Sequence, residues 1–178
     1  MKVSGFLFVM MITLFSCKKD EGSYYGGYYW IYGYGLPVMG AQEAMDGISE
    51  KWKIKHYAVT GCMIEPGQEK AVNAANKRTY AALDRKYGKG WQALYSKDMN
   101  DFITKKVDVM DILITNKLFR NELKKYYIEI YDVDKEVSEL NNDGDFRVIV
   151  YNNKLKYENK ECFRLTVNTK NKTVNIIQ

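Results

Sequence analysis

The sequence predicts an α+β domain, with helices packed on a mostly antiparallel sheet. Three observations carry that prediction. Val72, Ala75, Thr79, Ala82, Leu83 and Tyr87 recur at helical spacing, and Gly88 follows directly as a stop. After Tyr126 the period changes to two, and Asn141-Asn142-Asp143-Gly144 and Asn168-Thr169-Lys170-Asn171 punctuate the alternating runs. Residues 41–178 are enough for one domain with a modest core.

In chain order, Lys2 opens an export-type segment. Phe6 to Phe15 is an apolar run interrupted only by Thr13, and small Ser16 precedes Cys17. The run is shorter than the roughly 20 residues a membrane span requires, and Lys18, Lys19, Asp20 and Glu21 follow it. Leu14-Phe15-Ser16-Cys17 resembles the lipobox of bacterial lipoproteins. That resemblance implies a diacylglyceryl group on the Cys17 thiol, cleavage after Ser16 and an acylated (palmitate-type) amine. Each buried methylene is worth about 0.8 kcal/mol and one chain binds only marginally, so two or three chains on one residue imply lasting attachment. A signal peptide cut by the general peptidase is the alternative. Lys19-Asp20-Glu21 resembles the address that sends some Bacteroidota lipoproteins to the outer face of the outer membrane, and the plain alternative is a solvated charge cluster. The expected organisation is a signal peptide over 1–16, a lipidated tether over 17–40 and a single domain over 41–178.

Composition belongs to the chain from Cys17 onward, which carries 26 basic against 22 acidic side chains once Lys2 is removed. The excess is scattered, which argues against a nucleic-acid partner. With Cys17 acylated, Cys62 and Cys162 remain. An exported chain often pairs two such thiols, and the bridge would close a loop worth about 4.7 kcal/mol in the chain-entropy account. Two separate buried thiols are the other reading.

Gly22 to Gly40 holds six tyrosines, one tryptophan and six glycines. It shows neither helical nor strand periodicity, so it reads as a flexible spacer ending at Pro37. Within it, Tyr28, Tyr29, Trp30 and Tyr32 are candidate ligand-stacking aromatics for a sugar face. The same rings suit the lipid headgroup region.

The domain is expected to begin with a helix over about 41–51, from Ala41, Ala44, Met45 and Ile48, weakened by Gly47. A strand over about 52–63 follows, with Trp52, Ile54, His56 and Ala58 alternating against Lys53, Lys55, Tyr57 and Val59. Gly61 suggests a bulge. Pro66 is placed to start the helix over 66–87. A second helix over 90–105 should turn Trp91, Leu94, Tyr95, Met99, Phe102 and Ile103 inward, and the short Gly88-Lys89-Gly90 link makes the two helices neighbours. Residues 107–126 fit a helical stripe, although Ile112 to Thr115 could extend; a helix is expected over 116–125. Strands are expected over 126–133, 145–151, 161–167 and 172–177.

Trp52, Gly61-Cys62, Asn76, Lys86-Tyr87-Gly88 and Trp91 resemble a small domain of uncharacterised Bacteroidota lipoproteins, the family named for a Phe-Glu-Lys-Lys-Tyr motif. Leu83-Asp84-Arg85-Lys86-Tyr87 takes the place of that motif here, matching at its last two residues. The resemblance covers about residues 41–105 and implies a compartment and a fold, with no activity.

The chemical search finds little. His56 is the only histidine, and a lone strand histidine reads as structural. Asp132, Asp134, Glu139, Asp143 and Asp145 lack the glycine and glutamate spacing of a calcium loop. No phosphate loop, zinc spacing or serine elbow is present. The expectation is therefore a lipid-anchored outer-membrane lipoprotein without catalytic residues, metal or cofactor, binding a protein or a glycan. The alternative is a hydrolase with a carboxylate pair, acting on envelope or dietary polysaccharide.

Overall fold

Gly26 and Gly27 set the first element of the fold. Both have positive φ (61° and 85°), which a two-residue hairpin turn requires and glycine allows without steric cost. They join β1 (Tyr24–Tyr25) to β2 (Tyr28–Tyr34) in a hairpin with Tyr25 opposite Tyr28. The structure is a computed structural model that describes residues 21–35, 39–60, 67–152 and 160–177. β2 then pairs in parallel with β3 (Ile54–Thr60), Trp30 beside Lys55 and Tyr32 beside Tyr57. The spacer expected over 22–40 is thus corrected: residues 24–25 and 28–34 are strands, and Tyr29 and Ile31 are buried in the core. Aromatic side chains on both faces of β2 hide the alternation that normally betrays a strand.

The crossover from β2 to β3 contains α1 (Met39–Gly47) and α2 (Ser49–Trp52). One helix was expected over 41–51; the chain breaks at Ile48, whose side chain is fully buried. Gly47 is needed there because the Phe102 ring lies where its Cβ would stand. β3 is shorter than the expected 52–63, beginning after left-handed Lys53. Gly61 to Pro66, with the expected bulge, lie outside the described residues.

α3 (Gln68–Tyr87) buries Val72, Thr79, Ala82 and Leu83, the stripe its spacing predicts, and the Gly88 N–H closes it on the Asp84 carbonyl. α4 (Trp91–Thr115) runs ten residues past the expected end, burying Val109 and Leu113. Leu94 and Ile103, expected inside, are each 58% exposed. Asn116 ends α4 and caps α5 (Lys117–Lys125), its Oδ1 accepting the Phe119 N–H at 3.1 Å.

The strand expected over 126–133 is replaced by an irregular segment with one 3-10 turn, Ile130–Asp132. Ile128 N–H bonds back to the Leu123 carbonyl as part of the helix end, and Tyr127 is left-handed. The strand comes later, as β4 (Asp134–Glu139). Its core-facing row is Lys135, Val137 and Glu139, and two charges on an inner face conceal a strand from any hydrophobic pattern. β5 (Asp145–Tyr151), β6 (Glu161–Asn168) and β7 (Thr173–Ile177) fall where expected. These four make a second, wholly antiparallel sheet in chain order, so the expected single sheet is two.

One continuous core joins the layers. Phe146, Val148, Val150, Leu165 and Val167 of the second sheet share it with Phe102, Val109, Leu113, Phe119 and Leu123 of α4 and α5, and with Ile31, Ile48 and Ile54. Lys51 on α2 and Lys105 on α4 both reach Glu139, which is 2% exposed, at 3.3 and 2.8 Å, and Asp98 pairs with Lys51 at 2.5 Å.

Candidate aromatic face and cleft

Two features meet around β3. The first is the outward face of the parallel pair, where the alternation of β2 places Tyr28, Trp30 and Tyr32 in a row. Parallel register adds Tyr57 beside Tyr32, the rings edge-on at 6.4 Å, and Tyr57 is 56% exposed. Lys55 runs between the strands, its ammonium 4.2 Å from the Tyr28 ring centre and 5.7 Å from that of Trp30.

The row is braced. Tyr28 donates its hydroxyl to Glu50 at 2.7 Å, and the Trp30 indole N–H donates to the Tyr25 carbonyl at 3.1 Å. Past β1 the outer edge of β2 lacks a strand, and Asn76 of α3 stands in for one. Its Oδ1 accepts the Tyr32 N–H at 2.9 Å while its Nδ2 donates to the Tyr32 carbonyl at 2.7 Å. One turn further along α3, Thr79 lies against Gly22 and Ser23, and its hydroxyl accepts the Ser23 N–H.

The second feature is a polar cleft of about 610 Å³ between α1, α2 and the edge strand β4. Lys55 belongs to both features. The acids of the cleft are already engaged. Glu43 pairs with Lys106, Asp46 accepts from Gln42, and Glu136 accepts the Tyr151 hydroxyl. Burial would raise the Glu50 carboxyl, but donors from Lys53, Tyr28 and Arg147 outweigh it and hold it down at about 2. Glu50 is therefore ionised at any physiological pH and has no proton to give.

The structure brings together three of the four aromatics expected to stack on a ligand. Tyr29 is turned into the core at 8% exposure. Cys17 and Cys62 lie outside the described residues. Cys162 is half-buried on β6, where burial raises its thiol. His56 is held by burial below its ordinary pKa and shares a 3.0 Å hydrogen bond with Tyr95 inside an aromatic group that includes Trp52. The five acids of 132–145 do not converge: Glu139 is in the core, while Asp145 accepts from Asn141 and Asn168. Among the described residues no His, Cys, Asp and Glu group has the makings of a metal site.

Tyr57 and Lys55 were missed as site residues, although their alternation on β3 was the signal for a shared outward face. Glu50 and Arg147 are 97 positions apart and carry no such signal. Comparison with protein-family models, with curated proteins and with solved structures finds no match.

Proposed function

We propose that this chain is a lipid-anchored lipoprotein of the outer membrane, facing the cell surface, and a non-catalytic module that binds a glycan. The observation that carries the glycan reading is the row Tyr28, Trp30 and Tyr32, widened by Tyr57. Rings on a strand, two of them (Tyr28 and Trp30) fixed by hydrogen bonds at their polar ends, lose little freedom when a flat sugar face lands on them. Cys17 supplies the anchor through the lipobox resemblance. Glu50, permanently charged and triply bonded, serves as a brace for Tyr28; a hydrolase would need a carboxyl that keeps its proton.

Detergent-extracted full chain, titrated calorimetrically against a β-glucan, an α-glucan, a xylan and a mannan, should bind at least one. For that polymer, Trp30→Ala and Tyr32→Ala should each weaken binding about tenfold, ~1.4 kcal/mol, with the melting temperature of each variant measured alongside. No binding by any polymer, or variants that bind as tightly as the unaltered protein, ends the glycan reading. Loss of labelled fatty acid on Cys17→Ala tests the anchor separately.

A further inference from the structure

We infer that this chain forms a two-fold dimer in which β7 pairs, antiparallel, with β7 of a second copy about an axis at Asn175. Among the described residues the two sheets end in β1, β3, β4 and β7. Three of these strands are guarded. β1 is two residues long, and beyond it Asn76 occupies the edge of β2. β3 carries Lys55 and packs against α1 and α2. β4 carries Asp134, Lys135, Glu136 and Glu139, and the same two helices lie beside it. Short, charged or covered edges resist pairing with another chain. β7 carries no charge, and α5 meets it on the core side, where Val174 packs. Its residues, Thr173 to Ile177, include no proline and run against β6 without a register shift. All but Asn175 are β-branched, which suits a strand with neighbours on both sides.

The ladder fixes which backbone groups are free. Opposed residues of an antiparallel pair alternate between exchanging hydrogen bonds and not. The Thr169 N–H donates to the Gly144 carbonyl at 2.8 Å, so the register makes Phe146–Val167 and Val148–Leu165 bonded pairs. Asn168, Thr166 and Arg164 then bond the other way, to Thr173, Asn175 and Ile177. Val174 and Ile176 therefore aim N–H and C=O out of the sheet edge. Among the described residues, no backbone group outside the strand ladder bonds to them.

An identical strand fits this edge residue for residue. Pairing centred on Asn175 sets Val174 opposite Ile176 of the second copy, and Ile176 opposite its Val174. Both become bonded pairs, and the two strands overlap along their whole length. Centring on Val174 instead would draw in Lys172, which is left-handed at φ 53°. Centring on Ile176 would overrun the end of β7. Val174 and Ile176 lie opposite Val167 and Leu165, hence on the core side, where Ile176 is 39% exposed. The added strand lays Val174 beside it, apolar against apolar. Asn175 is exposed on the other face and meets its own copy at the axis, where each amide has a donor and an acceptor to offer. The doubled sheet then ends in charged β4 on both sides, so assembly stops at two.

Sedimentation equilibrium of the full-length protein in density-matched detergent should show a reversible dimer. Asn175→Asp and Asn175→Lys each set like charges face to face at the axis. Each should weaken the dimer at least about tenfold, and an equimolar mixture of the two should restore it. Asn175→Cys should cross-link under mild oxidation, because opposed Cα atoms of a non-bonded pair stand about 4.5 Å apart, within disulfide reach. Thr173→Cys lies opposite Ile177 of the second copy, away from its own counterpart, and should not cross-link. A monomer up to millimolar concentration overturns the inference. So does a dimer that both charge variants leave intact, a mixture no more dimeric than either variant alone, or equal cross-linking of the two cysteine variants. None of these outcomes bears on Trp30 or Tyr32, so the aromatic-face reading stands or falls separately.

Discussion

Gly47→Ala is expected to destabilise the domain by about 1–3 kcal/mol, the usual cost of forcing a methyl into a filled core. A Cβ at residue 47 would lie 2.1 Å from Cζ of Phe102, with two further ring carbons at 2.3 and 2.6 Å. Phe102 is 1% exposed, so its ring belongs to the packed core. Helix propensity works in the other direction, since alanine is better than glycine by about 1 kcal/mol in a helix interior. A measured loss therefore isolates the clash. The ring offers a second check. Phe102→Leu removes the clashing atoms, so adding it to Gly47→Ala should cost less than the two single changes summed. Urea unfolding of the four proteins measures this. Additive losses would show that the ring and the glycine do not touch.

Glu139→Ala should cost about 3 kcal/mol, towards the lower end of what breaking a buried ion pair costs. The carboxylate is 2% exposed and serves two ammonium groups from different helices. Its loss strands charge unequally. Lys51 keeps Asp98, at 2.5 Å, whereas Lys105 has a side chain 31% exposed and can turn towards water. Lys105→Met should be much milder than Glu139→Ala, because Glu139 would still hold Lys51. Thermal unfolding of both variants decides the point, and similar losses would contradict the asymmetry.

These two sites also show where sequence reasoning works and where it stops. The α3 stripe and the β5–β7 run were legible because their inner positions are apolar at the right period. β4 was invisible because Lys135 and Glu139 occupy inner positions, and their partners Lys51 and Lys105 lie far away in sequence. Gly47 looked like a weak spot in a helix, yet it is a contact made necessary by a phenylalanine 55 positions later. The same logic hid part of the aromatic face. Tyr28, Trp30 and Tyr32 stood out by type, but glycine-rich surroundings suggested a spacer. Only the pairing of β2 with β3 gives their row a direction and adds Tyr57.

The account therefore depends on β2 being an ordered strand of the domain. Amide hydrogen exchange over residues 28–34 of the full-length protein tests that directly. In the structure Tyr29 N–H donates to the Lys53 carbonyl and Tyr32 N–H to Asn76. The expected result is protection of both amides comparable to that of buried β3 and β5 amides, with Asn76→Ala releasing Tyr32 first. Exchange of the whole segment at the rate of an unstructured chain would mean that no aromatic face exists.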